Sequence, residues 1–287
     1  MIRAENLSFS YTHKPFIKSI SFEVKRGEIF GFLGPSGAGK STLQKILTGI
    51  LPGYGGSAVV NGKEVRNHSN SFYEQIGVDF EFPSFYEKMT ARENLDFFGS
   101  LYKGPLQPIE GLLESVGLEK DGDKKVSAYS KGMKSRLNFV KAIRHNPDIL
   151  FLDEPTSGLD PVSSSHMKAL IREQRSQGKA IILTTHNMQD ATELCDRVAF
   201  IVDGEMKAVD TPHHLIMSKG AARVTYSYLD GIEKSASCPL GALSDDSLLA
   251  GLIKSNRLLS IHSSEPTLND IFIEMTGRTL QCELCVF

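Results

Sequence analysis

The feature that most limits what this chain can fold into is an eight-residue run, Gly34-Pro35-Ser36-Gly37-Ala38-Gly39-Lys40-Ser41, which satisfies GxxxxGK[ST] without a mismatch. It follows a continuous apolar segment, Ile29–Leu33, and opens a segment, Ser41–Gly49, whose Leu43, Ile46 and Leu47 recur on one helical face. Strand, Gly-rich loop and helix in that order give the pattern its physical meaning. Glycines let backbone N–H groups turn inward and approach phosphate oxygens. The helix start adds the positive end of its dipole. In such a loop Lys40 reaches the β- and γ-phosphates of a nucleotide as a point charge, and the Ser41 hydroxyl faces Mg²⁺.

A second acidic site supports the first. Ile149-Leu150-Phe151-Leu152-Asp153-Glu154 is an apolar strand ending in two carboxylates. Alternation along a strand is expected to point them apart, Asp153 to the metal and Glu154 to the attacking water. Taken alone, an acidic strand end is as readily a helix cap or a turn; the phosphate loop upstream favours the catalytic reading.

Alternating β and α signals argue for a parallel, three-layer α/β core. Leu7, Phe9 and Tyr11 alternate with serines, as do Ile20, Phe22 and Val24 with Ser21 and Glu23, which predicts antiparallel strands near the start. From about Phe82 to Asn146 the texture is helical: Arg92–Tyr102, Ile109–Gly117 and Gly132–His145, the last with Met133, Leu137, Val140 and Ile143 in register before Pro147. Asp148–Leu152 and Lys179–Thr184 read as buried strands, and Ala199–Val202 with Asp203-Gly204 as the start of a hairpin. Beyond about Ser218 the pattern changes to a small α+β appendix, with strands at Arg223–Tyr228 and Leu258–His262 and a helix at Pro266–Met275.

Composition narrows the partners. The 287 residues carry 32 Lys+Arg against 34 Asp+Glu, a net charge of -2 that gives no bulk attraction to nucleic acid or anionic lipid. No run approaches the roughly 20 apolar residues of a membrane-spanning helix. The start, Met1-Ile2-Arg3-Ala4-Glu5, lacks an apolar secretory core. The expectation is a cytoplasmic chain whose membrane role comes through a partner. Cys195, Cys238, Cys282 and Cys285 read as reduced thiols, with Cys282-x-x-Cys285 in a loose tail; His213-His214 reads as a solvated helix start.

Residues 2 to 218 resemble the ATP-binding cassette (ABC) family of transporter ATPases, with the family's motifs in the family's order. The family's signature is similar to Tyr129-Ser130-Lys131-Gly132-Met133: Ser130 and Gly132 match, whereas Tyr129, Lys131 and Met133 depart, as in cassettes serving ABC-2 exporters. The Ser130 end of its helix is an N-cap. The resemblance implies that Ser130, Lys131, Gly132 and Met133 face the γ-phosphate held by another subunit. It implies ATP contacts from Gly34 through Thr42, an adenine-stacking role for Tyr11, a D-loop at Ser157-Gly158-Leu159-Asp160, and a switch histidine at His186. The alternatives, each the weaker reading, are a strand surface residue for Tyr11 and a hydrogen-bonded strand end for His186. Glu81, in Ile76-Gly77-Val78-Asp79-Phe80-Glu81, stands where the family usually has Gln, beside the phosphates and Mg²⁺. A Glu there can offer oxygen to the metal; when ionised it cannot donate as an amide does.

The implied protein is therefore a P-loop NTPase of α/β class. An ABC ATPase domain spans 1–218, with an antiparallel β subdomain and a helical subdomain at about 82–146, and an appendix follows at 219–287. Its implied cofactors are ATP and Mg²⁺. Its implied partners are a second cassette, identical or similar, and a separate integral membrane permease, which would hold it at the cytoplasmic face of the cell membrane. An exporter is implied; a soluble non-transport ABC ATPase is the alternative. A P-loop kinase is disfavoured by the signature, D-loop and switch histidine.

Overall fold

The computed structural model describes residues 1–219, 223–264 and 266–277. They form two compact units, divided between Val209 and Asp210.

The first unit is built on two sheets. Strands β1 (Ile2–Phe9), β2 (Ile17–Val24), β4 (Gly55–Val60) and β5 (Lys63–Glu64) form an antiparallel sheet in the order β2-β1-β4-β5. Strands β3 (Ile29–Leu33), β6 (Ile76–Asp79), β7 (Ile149–Asp153), β8 (Ala180–Thr185), β9 (Arg197–Val202) and β10 (Glu205–Asp210) form the second sheet in the order β10-β9-β3-β8-β7-β6. Pairing from β9 through β6 is parallel. Its central strands are apolar on both faces, as a doubly covered sheet requires. One face, through Phe30, Phe32, Ile149, Phe151 and Ile182, shares a core with the antiparallel sheet and helix α1 (Lys40–Leu47). The alternate residues Leu150, Leu152, Ile181 and Leu183 are buried outside that core. Helices α5 (Pro161–Ser176) and α6 (Met188–Leu194) pack on each other, and α6 on β3 and β8.

The expected strand through Tyr11 stops short. β1 ends at Phe9, and a bulge at Glu5–Asn6, with Asn6 at φ 48°, shifts the register so that Leu7 and Phe9 face inward. Tyr11 lies in the following turn, 56% exposed. The helical region comprises α2 (Ala91–Gly99), α3 (Ile109–Ser115) and α4 (Lys131–Ile143), with α2 and α3 packed on α4 and α4 on β6. Thr90 starts α2 with a capping box that takes in Glu93.

The second unit holds a three-stranded antiparallel sheet, β12-β11-β13: β11 (Arg223–Asp230), β12 (Ile232–Pro239) and β13 (Leu258–Ser264). Val224 and Tyr226 are buried against Leu249 and Leu252 of helix α8 (Ser247–Lys254). Helices α7 (Pro212–Lys219) and α9 (Leu268–Thr276) pack on each other, so α7 belongs to this unit, and the division precedes it rather than following Ser218. Cys195 and Cys238 are both buried, and burial pushes the Cys195 thiol up. Cys282 and Cys285, like Glu265 and Arg278 of the appendix, lie outside the described residues. His214 pairs with Asp210 at the start of α7.

Candidate nucleotide site

The phosphate loop leaves β3 at Gly34, where a Cβ would run into the Ile201 carbonyl oxygen. Gly39, with φ 110°, turns the chain into α1 in a conformation that side chains rarely adopt. Lys40 Nζ donates to the Gly34 and Pro35 carbonyls at 2.7 and 3.0 Å, so the ammonium lies folded over the loop. Burial lowers its pKa, although Glu154, Asp153 and Glu81 favour its charge. Ser36, Gly37, Gly39, Lys40, Ser41, Thr42, Glu81, Asp153, Glu154 and His186 line one cleft of about 430 Å³. Pro35 and Ala38 shape the loop behind it, Ala38 being buried.

Asp153 closes β7. Its Oδ2 accepts from Ser41 Oγ at 3.3 Å, and Oδ1 accepts from Thr184 Oγ1. Burial raises the Asp153 pKa, and these hydrogen bonds oppose that rise. Among the described residues no cluster of three His, Cys, Asp or Glu could cage a metal. A hydroxyl and one carboxylate suffice for Mg²⁺, which keeps several waters and takes the rest of its shell from phosphate oxygens. The donors fit the ion: both are hard oxygens, and a cation there would offset the cost of burying Asp153.

Glu154 diverges from Asp153 by a different route from the one expected. β7 ends at Asp153, and Glu154 takes a left-handed backbone (φ 52°), uncommon for a residue with a side chain. Its N–H donates to the Thr184 carbonyl at 2.9 Å. The carboxylate then meets Thr185 Oγ1 at 3.0 Å, the His186 backbone N–H at 2.9 Å and His186 Nδ1 at 2.7 Å. A turn, not the pleat, separates the two acids. The hydrogen bond to Glu154 raises the His186 pKa.

Tyr11 does not line the cleft; Phe16 does, its ring 5.3 Å from that of Tyr11. The Tyr11 hydroxyl contacts Thr42 Oγ1 at 3.0 Å. The sequence reading passed over Phe16, whose only signal is an aromatic residue just before the β2 strand.

Ser130 stands apart from this cleft. It caps α4 as expected, its hydroxyl accepting from the Met133 N–H at 3.2 Å. Ser130 and Lys131 are exposed, and Gly132 and Met133 half-buried. Lys131 lies along the D-loop: a Cβ on Gly158 would come within 3.0 Å of its Cε. Asp160 caps α5, accepting from the Val162 and Ser163 N–H groups at 3.0 Å; the Ser163 side chain and these N–H groups hold its pKa low.

This geometry defines a P-loop nucleotide hydrolase whose motifs sit on a three-layer cassette. Residues 17–157 match the ABC transporter family. Over 285 residues the chain is 46% identical to a fluoroquinolones export ATP-binding protein of Mycobacterium tuberculosis, covering 98% of this chain and 94% of the relative. It is 33% identical to the linearmycin resistance ATP-binding protein of Bacillus subtilis (98% and 100% covered) and 34% to the Nod factor export ATP-binding protein I of Rhizobium meliloti (98% and 89%). Among solved structures, an ATP-binding subunit of an ABC transporter superposes with TM-score 0.70 at 29% identity, over 76% of this chain and 92% of that one. A dimeric cassette bound to ADP and Pi shares the fold at TM-score 0.66 and 23% identity, over 74% and 98%.

The chain belongs to the ABC transporter family. It is an ATP-binding, ATP-hydrolysing subunit of the export class, not a soluble non-transport relative. Among the described residues no helix is long and apolar enough to cross a membrane.

Proposed function

We propose that this chain is half of a two-site ATPase, in which each nucleotide is held by the phosphate loop of one cassette and closed by the Ser130 end of α4 from a second, identical or similar, cassette. The observation that carries this reading is the contrast between a crowded cleft and an exposed, capped helix tip. The cleft gathers Lys40, Ser41, Asp153, Glu154 and His186 without Ser130, while Tyr129 and Lys131 share only an adjoining cavity with Asp153 and Glu154. Gly34–Thr42 bind the phosphates, and Tyr11 and Phe16 offer ring faces to the base. Ser41 and Asp153, with Glu81 nearby, would hold Mg²⁺, which neutralises charge on the β- and γ-phosphates. Glu154 accepts the proton of the attacking water, and His186 positions that carboxylate and reaches the γ-phosphate. Asp160 and the D-loop lie at the contact between cassettes. Closure depends on the γ-phosphate, so hydrolysis reopens the pair.

Closure does work only if it moves a separate permease, which keeps the chain at the cytoplasmic face of the membrane. A surface suited to that contact lies beyond Glu81: Phe82 is 80% exposed, and Tyr86, Phe97 and Leu101 are exposed too, with the Tyr86 and Phe97 rings 4.9 Å apart. Exposed aromatic groupings of this kind favour protein partners. The names of the relatives support an outward direction of transport. The test is the Glu154→Gln chain with and without ATP on a sizing column. An ATP-dependent shift to twice the monomer mass, lost when Ser130 is also changed to a bulky residue, supports the reading; a monomer at saturating ATP overturns it.

A further inference from the structure

Two turns below the Ser130 tip, α4 carries a polar residue on its buried side. Asn138 is 1% exposed, and its Nδ2 donates to Asp79 Oδ1 and to the Phe80 carbonyl, the latter at 2.9 Å. Asp79 is itself 4% exposed, at the end of β6 and two residues before Glu81. Asp79 Oδ2 and Asn138 Oδ1 have no hydrogen-bond partner among the described residues. One turn further along α4, Lys141 places its ammonium 4.8 Å from the Phe85 ring centroid and 5.0 Å from that of Phe98, and its charge acts on Asp79. The segment from Phe80 to Phe85, which bears Glu81 and the exposed Phe82, is thus strapped to α4 at two points.

Stability does not explain this cluster. A buried carboxyl group, whose pKa burial pushes up to about 8, and an amide with unfilled acceptors cost more than an apolar pair of similar volume. What the amide adds is direction. Its two donors fix the tilt and rotation of α4 against β6, whereas apolar contacts would allow sliding. Ser130 is eight residues from Asn138, about 12 Å along the helix axis. A tilt of about 10° at Asn138 would carry the tip about 2 Å, enough to break a hydrogen bond to a phosphate oxygen.

We propose that Asn138 and Asp79 are positioning residues that set where the Ser130 tip meets a second cassette's nucleotide, and that they tie this placement to the Glu81–Phe82 segment. The inference rests on the in-trans reading of Ser130 given above. The experiment measures ATP-dependent dimerisation of the Glu154→Gln chain, ATP affinity at dilutions where it is monomeric, and thermal melting. Adding Asp79→Leu and Asn138→Leu together should weaken the dimer about tenfold, leave monomer ATP affinity within about twofold, and leave the melting temperature at or above that of the parent. Asp79→Asn, which keeps an acceptor for Asn138, should restore dimerisation to within about twofold. Dimerisation at parental strength by the folded Leu/Leu chain overturns the proposal, as does equal weakening by Asp79→Asn. If the Leu/Leu chain does not fold, Asn138→Ala alone decides by the same criteria. Ser130→Ala is measured alongside: if it too dimerises as the parent does, the in-trans reading has failed; if Ser130→Ala weakens the dimer and the Leu/Leu chain does not, only the positioning role has.

Discussion

The tip of β7 and the tip of α4 both end in side-chain oxygens that the proposed two-chain site would use, yet their surroundings are opposite. Asp153 is buried, with one carboxylate oxygen taken by Ser41 and the other by Thr184. Ser130 is exposed, and among the described residues its hydroxyl accepts only the first-turn N–H of its own helix. One oxygen is fixed by its neighbours within the chain; the other is held ready at a helix terminus, where backbone N–H groups and dipole favour an anion. Completeness at the first tip and incompleteness at the second are what a shared site between two chains requires. The comparison would break if changes at the two tips produced the same pattern of defects.

The largest separation is expected at Glu154. Its left-handed backbone aims the carboxylate at Thr185 and His186, away from the Asp153 side of the cleft. Glu154→Gln keeps the shape and one acceptor oxygen but loses the base, so turnover should fall about 10³-fold, within the range for a general base. ATP binding should survive and the closed dimer accumulate. Turnover at the parental rate in steady-state ATPase assays would remove Glu154 from the base role.

Next is Lys40→Ala, which should lower turnover by about 10²-fold or more and also weaken ATP binding, because the charge over Gly34 and Pro35 serves ground state and transition state alike. Nucleotide titration of the isolated chain measures this directly. Ser130→Ala sharpens the comparison from the other side. It should cost turnover roughly tenfold to thirtyfold while leaving monomer ATP affinity within about twofold, since it removes a contact made only on closure. A loss of monomer affinity equal to that of Lys40→Ala would place Ser130 in its own chain's site.

The difference between the tips also marks how far the sequence could be read. The phosphate loop, the two acids and the capped helix are legible because such features need fixed residue types at fixed spacing, whereas His186 is singled out only by the family resemblance. Nothing local announces that Glu154 leaves the strand with φ 52°: that strain is imposed by the Thr184 and His186 contacts from β8. Alternation carries the first strand on to Tyr11, whereas its pairing with β2 stops at Phe9 and leaves Tyr11 in the turn that follows. Asp79 in an apolar strand and Asn138 beside Leu137 on a buried helix face were visible as anomalies, but only the packing of α4 on β6 brings them together. In the second unit, β12 lacks a clean period, and the turn at Gly231 (φ 74°) was the available signal. Helix α8 is likewise left out of the sequence reading, although Asp246 ahead of an apolar run is a cap signal and caps it through the Leu249 N–H at 3.0 Å.

The smallest effect is expected where the two regions adjoin, at Glu81. It lines the nucleotide cleft with Asp153 and Glu154, yet it follows the segment that Asn138 ties to α4. Its carboxylate is exposed to solvent, so its charge is well screened, and its field adds to that of the two other acids in favouring a charged Lys40. Glu81→Gln keeps one oxygen for metal or water, gains an N–H donor and removes a negative charge from beside the triphosphate. The gains and the loss oppose each other, so turnover should stay within about tenfold of the parent, a barrier change of about 1.4 kcal/mol or less. ATP affinity should rise rather than fall, because one repulsive charge is gone. The two effects separate in a kcat and KM measurement at two ionic strengths: a charge effect on KM shrinks at high salt, whereas a hydrogen-bond effect on kcat does not. Complete loss of turnover would show that Glu81 carries out a chemical step, and the division of labour between the β7 tip and the α4 tip would then have to include it as a third element.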